Sequence, residues 1–548
     1  MAPTSAPPRH LPRALASAAL TVAVALLALP VLAVLASWLQ WDAVSAQILR
    51  EMAATVLPDY ALTSLWLCLM VAVGVTAVGT GAAIAVTLFD FRLRRFFEWA
   101  MLLPLAMPAY VVAYAYTDFL QFSGPLQTLL RSTFGLEGRV LPEVRSLPGA
   151  AWVFSFTLYP YVYLLARTAL AERAAQLMEA ARLLGASPWR RIRKVALPLV
   201  RPAVVAGLSL ALMETLADYG VASYFGIQTF SAGIYKAWLV MDNRVAAAQL
   251  ATLLLLLVAV LLALEQRAQR RMRYAAGRVD RAGSDEARPF VLRGAGQWLA
   301  WLACAIPVLM GFVAPLVFML RPLLADWGTL PWRDFGHWVF NSLRLGLTTA
   351  LLATGLALAL AFALRMRSRP LVRLAARVAG LGYAVPGTVV VVGLLLPVGW
   401  LQAQAPETRV GMLVTATVAG VIWAYLVRFC AVALQPVQSG YARIAPSLDE
   451  SARMLGAGNG RLLRQVHAPL LRRSLIAALL LVFVDVMKEL PATLVLRPFN
   501  TDTLAVMAYQ LARDERLGEA ALPSLALVAV GLIPVILLSR ALREPDSR

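Results

Sequence analysis

The chain has 548 residues, of which 60% are hydrophobic and 15% charged, and its mean hydropathy of +0.71 excludes an ordinary soluble domain. Its formal net charge is +20, but no basic stripe is interleaved with aromatic residues on a polar segment, which argues against nucleic acid as a partner. The three cysteines and three histidines are scattered, so the sequence predicts neither a disulfide nor a bound metal. Composition instead predicts an all-α integral membrane protein in a lipid bilayer.

Apolar runs long enough to cross about 30 Å of hydrocarbon recur along the sequence, and about twelve of them are predicted to be transmembrane helices. The first follows Arg9 and Arg13 and could be mistaken for a signal peptide. Its apolar stretch is too long for one and lacks a clean cleavage site, so we expect a retained helix. The predicted spans are residues 14–39, 61–89, 97–120, 149–170, 200–225, 246–265, 297–320, 338–364, 371–397, 410–434, 474–496 and 521–540.

The basic residues concentrate in alternate loops between these spans, which is the positive-inside pattern. With the N-terminus on the cytoplasmic side, the C-terminus is predicted to be cytoplasmic as well. The longest hydrophilic interruption, residues 266–293, leaves six predicted spans on either side. We interpret it as a cytoplasmic linker between an N-terminal half, residues 1–265, and a C-terminal half, residues 294–548.

The two halves repeat one another in sequence. TSLWLCLMVAVGVTA at 63–77 is similar to NSLRLGLTTALLATG at 341–355, and MPAYVVAYAY at 107–116 is similar to VPGTVVVVGL at 385–394. Because each half contains an even number of predicted spans, both copies enter the membrane in the same direction. The sequence therefore predicts two parallel six-helix repeats.

The strongest repeat lies in a polar loop of each half. EAARLLGASPWRRIRKVALP, residues 179–198, returns as ESARMLGAGNGRLLRQVHAP, residues 450–469, with ten of twenty positions identical. Gly185 and Gly456 can end a short helix in a left-handed conformation, and the Ser-Pro pair of the first copy favours the start of another. The second copy has Gly-Asn there, so its restart is less sharply specified. The pattern predicts a helix, a tight turn and a helix on the cytoplasmic side of both halves.

By physical properties alone, each loop could be an amphipathic helix that lies on lipid headgroups. The spacing of Glu, two small residues, Gly and Pro in both copies resembles instead the EAA loop of permease subunits in ABC importers. In that family the loop docks on a cytoplasmic ATP-hydrolysing subunit and transmits its motion to the membrane core. The resemblance implies EAA loops at residues 172–198 and 443–469, with docking residues Glu179, Ala180, Ala181, Gly185, Glu450, Ser451, Ala452 and Gly456.

The chain lacks a G-x-x-x-x-G-K-[ST] phosphate-binding loop, because none of its three lysines, Lys194, Lys236 and Lys488, follows such glycines. We therefore expect no cofactor in this chain. The resemblance implies that ATP and magnesium bind to two copies of a partner ATPase subunit. We also expect no enzymatic activity, since the sequence offers no nucleophile–base pair or metal cluster that would indicate a membrane enzyme.

Two predicted spans carry acidic residues at matching positions. Glu214 and Asp218 match Asp485 and Glu489, and the spacing of four predicts a shared helix face in each pair. A charge that faces lipid is costly, so these side chains should face the protein interior or a pathway. One interpretation is a translocation pathway that favours a cationic substrate. The alternative is a structural network in which cations neutralise the carboxylates, with Lys488, Arg428 and Arg344 as candidates.

Residues 214–251 and 488–521 resemble the fused, two-half permeases of ferric-iron ABC importers, and the resemblance extends over essentially the whole chain. It implies a multi-pass protein of the bacterial inner membrane, a periplasmic binding protein that delivers Fe³⁺, and alternating access driven by ATP. Fused permeases for thiamine and for phosphonates share this layout, so the substrate stays open. A proton-coupled secondary transporter, which can also have six-plus-six parallel repeats, is a further alternative.

Overall fold

The computed structural model describes residues 11–39, 43–276, 290–366 and 370–542. These residues are almost entirely helical, which confirms the all-α fold class, and the two short strands β1 (Phe89–Asp90) and β2 (Phe290–Val291) pair in parallel. The helices are α1 (Leu11–Ala36), α2 (Ala43–Ala54), α3 (Leu57–Leu88), α4 (Arg94–Ala100), α5 (Ala109–Leu120), α6 (Pro125–Phe134), α7 (Leu147–Leu183), α8 (Pro188–Arg191), α9 (Leu197–Ala217), α10 (Gly220–Phe225), α11 (Phe230–Tyr235), α12 (Arg244–Ala276), α13 (Ala295–Val308), α14 (Ala314–Ala325), α15 (Trp332–Met366), α16 (Pro370–Leu381), α17 (Gly387–Gln404), α18 (Val410–Thr415), α19 (Val418–Ala442), α20 (Pro446–Met454), α21 (Asn459–Arg461), α22 (Ala468–Lys488), α23 (Pro491–Leu496), α24 (Leu504–Arg513) and α25 (Leu517–Leu542). Short 3₁₀ turns are Ser37–Leu39, Leu103–Ala106 and Gly382–Ala384, and π-helical turns are Ile192–Ala196, Lys236–Val240, Leu309–Val313 and Leu462–His467.

Ten helices within the described ranges are long and apolar enough to cross a membrane, or eleven spans if one bent pair counts as a single span. This is fewer than the predicted twelve. The bent pair, Arg94–Ala106 and Ala109–Phe134, lies at the predicted span 97–120 and bends by 90°. The predicted span 474–496 is not among the ten, because α22 carries several charged residues and ends at Lys488. The ten are Thr21–Leu39, Leu57–Leu88, Leu147–Ala171, Trp189–Ala217, Arg244–Arg270, Ala295–Ala325, Trp332–Met366, Gly387–Gln404, Val418–Ala442 and Leu517–Leu537.

The chain forms two compact units, of which the first consists of Met1–Trp41 and Phe340–Thr501. In this unit α1 packs along α17 and α16, and α19 packs along α22. The indole N–H of Trp423 on α19 donates a hydrogen bond to the carbonyl of Leu26 on α1 at 2.9 Å. The first predicted span is therefore a structured helix in this unit, packed on elements from the C-terminal half of the sequence.

The second unit consists of Asp42–Val339 and Asp502–Arg548. Helix α7 packs against α3 and α9, and α25 packs against α24 and α14. Gly207 on α9 allows a close approach, because a Cβ there would lie 2.8 Å from the carbonyl oxygen of Tyr161 on α7. The Tyr116 hydroxyl donates to the carbonyl of Met310 at 2.7 Å, which joins α5 to the π-helical turn before α14.

The compact units do not follow the predicted halves. Helix α1 packs with elements of the C-terminal half, whereas α13, α14, α24 and α25 from the C-terminal half belong to the second unit with most of the N-terminal half. The predicted linker, residues 266–293, begins inside α12, and β2 lies near its end. Residues 277–289 of this linker lie outside the described residues. The division into halves at 1–265 and 294–548 stays a prediction from the sequence repeat.

Candidate functional site

The first EAA loop has the predicted order of helix, left-handed turn and helix. Helix α7 is followed by Gly185, whose φ is +76°. The N–H groups of Gly185 and Ala186 donate to carbonyls in the last turn of α7 at 2.9 and 3.0 Å, which satisfies groups that a helix end leaves free. The Ser187 hydroxyl then accepts a hydrogen bond from the Arg190 N–H at 3.4 Å and caps α8. A π-helical turn, Ile192–Ala196, leads into α9.

The second EAA loop has the same turn. Helix α20 is followed by Gly456, whose φ is +79°, and the N–H groups of Gly456 and Ala457 donate to the last turn of α20 at 2.9 and 3.0 Å. Gly458 takes the place of the capping serine, and no side chain caps the three-residue helix α21. This agrees with the weaker restart that the sequence predicts. A π-helical turn, Leu462–His467, again leads into a long helix, α22.

Each loop exposes two apolar side chains next to its left-handed glycine. Leu183 and Leu184 are 82% and 87% exposed, and the matching Met454 and Leu455 are 88% and 85% exposed. Apolar surface removed from water contributes about 25 cal/mol per Å², so these side chains favour burial on another surface. Their matching exposure in both loops indicates two similar contact surfaces.

Most of the predicted docking residues whose side chains the structure describes are exposed. Gly185, Glu450, Ser451 and Gly456 are exposed, whereas Ala181 and the matching Ala452 are half-buried. The side chains of Glu179 and Ala180 lie outside the described residues, although both residues belong to α7.

A buried polar network that sequence reasoning missed lies behind the second loop. Asp449 on α20 accepts a hydrogen bond from Arg365 Nε at 2.8 Å, and its other oxygen lies 2.9 Å from His467 Nε2. His467 is fully buried, and its Nδ1 lies 3.3 Å from the Tyr441 hydroxyl. The four residues come from four separate elements, so no local spacing in the sequence marks them.

The Asp449 carboxylate is ionised at neutral pH. Burial alone would raise its pKa, but hydrogen bonds and charge from Arg365 and His467 hold the pKa of Asp449 below its ordinary value. The lowered pKa means that the contribution of this carboxylate to stability is present at neutral pH and is lost as the pH falls through the folded-state pKa.

The acidic residues of the membrane spans do not share helix faces as predicted. Helix α9 ends at Ala217, and Asp218 follows in an extended conformation with φ −69° and ψ 133°. Helix α22 likewise ends at Lys488, and Glu489 follows with φ −70° and ψ 120°. The expectation of a continuous helix face for each pair is wrong, because both helices break immediately before the second acidic residue.

These two carboxylates hold the backbone at the breaks. Asp218 Oδ1 accepts hydrogen bonds from the N–H groups of Val221 at 2.8 Å and Ala222 at 3.4 Å, in the first turn of α10. Glu489 accepts from the N–H groups of Ala492 at 2.9 Å and Thr493 at 3.0 Å, in the first turn of α23. A carboxylate at a helix N-terminus satisfies free N–H groups and interacts favourably with the helix dipole.

Glu489 also forms a buried ion pair. Arg428 Nη1 on α19 donates to Glu489 Oε1 at 3.1 Å, and the two side chains are 10% and 1% exposed. The Thr493 hydroxyl lies 2.7 Å from the other carboxylate oxygen. The structure thus contains the Arg428–carboxylate pair that the structural-network interpretation predicts. Glu214 and Asp485 are half-buried near the ends of α9 and α22.

Comparison with known proteins identifies the family. The chain matches the family described as binding-protein-dependent transport system inner membrane component over residues 76–274 and again over 352–544. The chain belongs to this family. The permease thus contains two copies of the family's sequence, in agreement with the predicted duplication.

The relatives of this permease are named for different substrates. It is 24% identical to the Fe(3+)-transport system permease protein FbpB 2 of Haemophilus influenzae, over 86% of the permease and 88% of that protein. It is 31% identical to a Salmonella typhimurium protein described as the 2-aminoethylphosphonate transport system permease protein PhnU, over 26% of the permease and 51% of PhnU. It is also 31% identical to the sulfate transport system permease protein CysW of Escherichia coli, over 30% of the permease and 56% of CysW.

Family membership defines the general role of the chain. It is the membrane permease subunit of an ABC importer, a multi-pass protein of the inner membrane that works with an ATPase subunit and a periplasmic binding protein. The permease is a transport subunit rather than an enzyme, since ATP hydrolysis belongs to the separate ATPase subunit.

The Arg428–Glu489 pair predicts a non-additive effect of mutation on stability. Arg428→Met leaves a buried carboxylate unpaired and should destabilise the permease by about 3–5 kcal/mol. The double variant Arg428→Met/Glu489→Gln removes both charges and should lose much less. The measurement is the midpoint of thermal unfolding in detergent, followed by size-exclusion chromatography. Arg344→Met, at an exposed arginine of the same unit, is the control, and equal losses in the single and double variants would contradict the pairing.

Proposed function

We propose that this permease imports ferric iron that a periplasmic binding protein delivers. The main support is the similarity to FbpB 2, which extends over most of both chains, whereas the matches to PhnU and CysW cover about a quarter to a third of the permease. The acidic residues Glu214 and Asp485 support a cationic substrate, because carboxylates inside a membrane favour cations over anions such as sulfate.

The alternative substrate is a phosphonate, and the partial match to PhnU supports it. An importer for thiamine with the same architecture also stays a proposal. The proton-coupled secondary transporter, which is a further alternative from the sequence, is not favoured, because the two EAA loops support coupling to an ATPase.

Two copies of the ATPase subunit, one for each EAA loop, would match the two exposed apolar pairs. In this proposal the left-handed glycines orient Leu183 and Leu184 in the first loop and Met454 and Leu455 in the second toward the ATPase. ATP and magnesium bind to that partner and not to this chain. Both loops and both termini then lie in the cytoplasm.

The transport mechanism is alternating access. ATP binding closes the two ATPase subunits, the docked loops transmit this closure to the membrane helices, and the pathway opens toward the binding protein. Hydrolysis returns the pathway to the cytoplasmic side. We propose that Glu214 and Asp485 line the pathway, whereas Asp218 and Glu489, which the sequence also suggests as pathway residues, hold the helix breaks beside it.

Charge reversal in the EAA loops tests the docking role. Glu179→Lys and Glu450→Lys should each reduce ATP-driven transport at least tenfold, because each places a cation at a contact where the family pattern has an anion. The measurement is transport together with ATP hydrolysis in membrane vesicles that contain the whole importer. Glu407→Lys, an exposed charge reversal outside both loops, should have no effect. Full coupling in both loop variants would exclude docking at these residues.

Neutralisation of the half-buried acidic residues tests the pathway. Glu214→Gln and Asp485→Asn should slow transport severalfold while the amount of folded permease in the membrane is unchanged, since both substitutions keep the side-chain size and remove the charge. The rate of uptake, normalised to the permease recovered by size-exclusion chromatography, is the measurement. Wild-type rates in both variants would show that these carboxylates do not interact with the substrate on its way through.

Uptake of labelled ferric iron tests the proposed function itself. Cells that express the permease with its importer partners should accumulate iron, and both deletion of the permease and depletion of ATP should abolish this uptake. Unlabelled thiamine, 2-aminoethylphosphonate and sulfate serve as competitors and should not reduce it. If a labelled form of one of these competitors is taken up with ATP and iron is not, that compound is the substrate and the iron proposal is wrong. Iron uptake that depends on the proton gradient and not on ATP would overturn the importer mechanism.

A further inference from the structure

The two EAA loops share their exposed surface but differ underneath it. At the offset of 271 residues, the buried Arg191 of the first loop matches the buried Leu462 of the second. Likewise, the buried polar residue His467 of the second loop matches the small apolar residue Ala196 of the first. Two of the differences between the copies therefore lie at buried positions that connect each loop to the rest of its own unit.

Beneath the first loop lies an aromatic ring, Phe290, from the last residues of the linker. Strand β2 pairs with β1, and the Leu292 N–H donates to the Asp90 carbonyl at 3.0 Å, which fixes Phe290 in place. The guanidinium of Arg191 lies 4.1 Å from the centre of the Phe290 ring, and that of Arg182 lies 5.7 Å from it. Both distances are typical of cation–π contacts, which strengthen when they are desolvated.

Arg191 is only 4% exposed, so its guanidinium contacts the Phe290 ring in the protein interior. Within the described residues, Nε and Nη1 of Arg191 have no hydrogen-bond partner. A buried guanidinium without a full set of hydrogen bonds depends on other favourable contacts, and the face of the Phe290 ring provides one. Phe290 thereby connects both ends of the first loop's turn, since Arg182 precedes Gly185 and Arg191 follows it.

Beneath the second loop, the anchor is an ionic network. Arg365, in the last turn of α15, donates to the Asp449 carboxylate at 2.8 Å and to the Tyr441 and Ala445 carbonyls at 3.0 and 3.2 Å. His467 binds the other oxygen of Asp449 from the π-helical turn before α22. The network joins α20 to the ends of three long helices, α15, α19 and α22. These hydrogen bonds link α20 directly to those helices.

We propose that each EAA loop is positioned by its own anchor, Phe290 beneath the first and the Asp449–His467–Arg365 network beneath the second. Phe290 and His467 are positioning residues: Phe290 contacts the first loop, His467 lies at the buried end of the second and contacts Asp449, and neither is exposed beside the apolar pairs. The linker thus serves the first loop through its last residues. The part of this inference that concerns coupling rests on the proposed docking function, and the part that concerns anchoring does not.

Hydrogen–deuterium exchange of the full-length permease in detergent tests the anchoring without any partner. Phe290→Ala should accelerate exchange in residues 181–191 about threefold or more and leave residues 446–461 unchanged. His467→Ala, which installs the residue of the first half, should accelerate exchange in 446–461 about tenfold and leave 181–191 unchanged. Acceleration of both segments by either variant, or of neither, would overturn the proposal.

Neighbouring substitutions provide matched controls. Val291→Ala changes the exposed residue next to Phe290 in the same strand, and Gln465→Ala changes an exposed residue in the same π-helical turn as His467. Both should exchange like the wild type. Phe290→Tyr keeps the ring, and His467→Gln keeps a donor for Asp449 and an acceptor for the Tyr441 hydroxyl, so both should restore slow exchange. Failure of both conservative variants to do so would contradict the assigned contacts.

The number of ATP molecules hydrolysed per substrate transported tests the coupling role. In vesicles with the complete importer, Phe290→Ala and His467→Ala should each raise this ratio severalfold, and the conservative variants should restore it. If the wild type transports with ATP but the anchor variants keep its ratio, the positioning role is wrong. If the wild type shows no ATP-dependent transport, the proposed function fails, while the exchange experiment still decides whether the anchors exist.

Discussion

Buried backbone groups that leave a helix need hydrogen-bond partners from the protein, because no water reaches them in the interior. Each half of the permease meets this need with a carboxylate at the same position of the repeat. Asp218 accepts N–H groups of α10, and Glu489 accepts those of α23 while Arg428 balances its charge. The short helices and extended segments after each break depend on these contacts, since an unsatisfied N–H group there costs several kcal/mol.

The repeat is preserved in backbone geometry more closely than in side chains. Pro108 and Pro386 both begin a helix after an extended residue, and each follows a short 3₁₀ turn. In the second half, the break at Pro386 lies beside the one at Glu489, because a Cβ on Gly387 would be 2.9 Å from Glu489 Oε1. Glycine at this position lets the start of α17 approach the buried ion pair.

The sequence predicts the membrane class, the duplication and the turns at Gly185 and Gly456, because these follow from apolar run length, internal similarity and local backbone preference. It does not predict that Asp218 and Glu489 lie outside the helices. Two carboxylates four residues apart give the same sequence pattern whether the helix continues through both or ends before the second. The sequence likewise does not predict the Asp449–His467 contact, because it joins residues 18 positions apart across a turn. Burial and tertiary pairing decide these features, and neither has a local signal.

The contacts beneath the two loops differ because each loop has different neighbouring segments of the chain. The first loop has the last residues of the linker beside it, so Phe290 can cover Arg182 and Arg191. Only the N-terminal half has this linker at its end. The second loop uses Arg365 at the end of α15 and His467 at the start of α22 instead. Two anchors of different chemistry, one aromatic and one ionic, can hold the same left-handed turn and expose the same pair of apolar side chains. A partner made of two identical subunits would then meet equivalent surfaces, while the motion it transmits enters the membrane helices through two different sets of contacts.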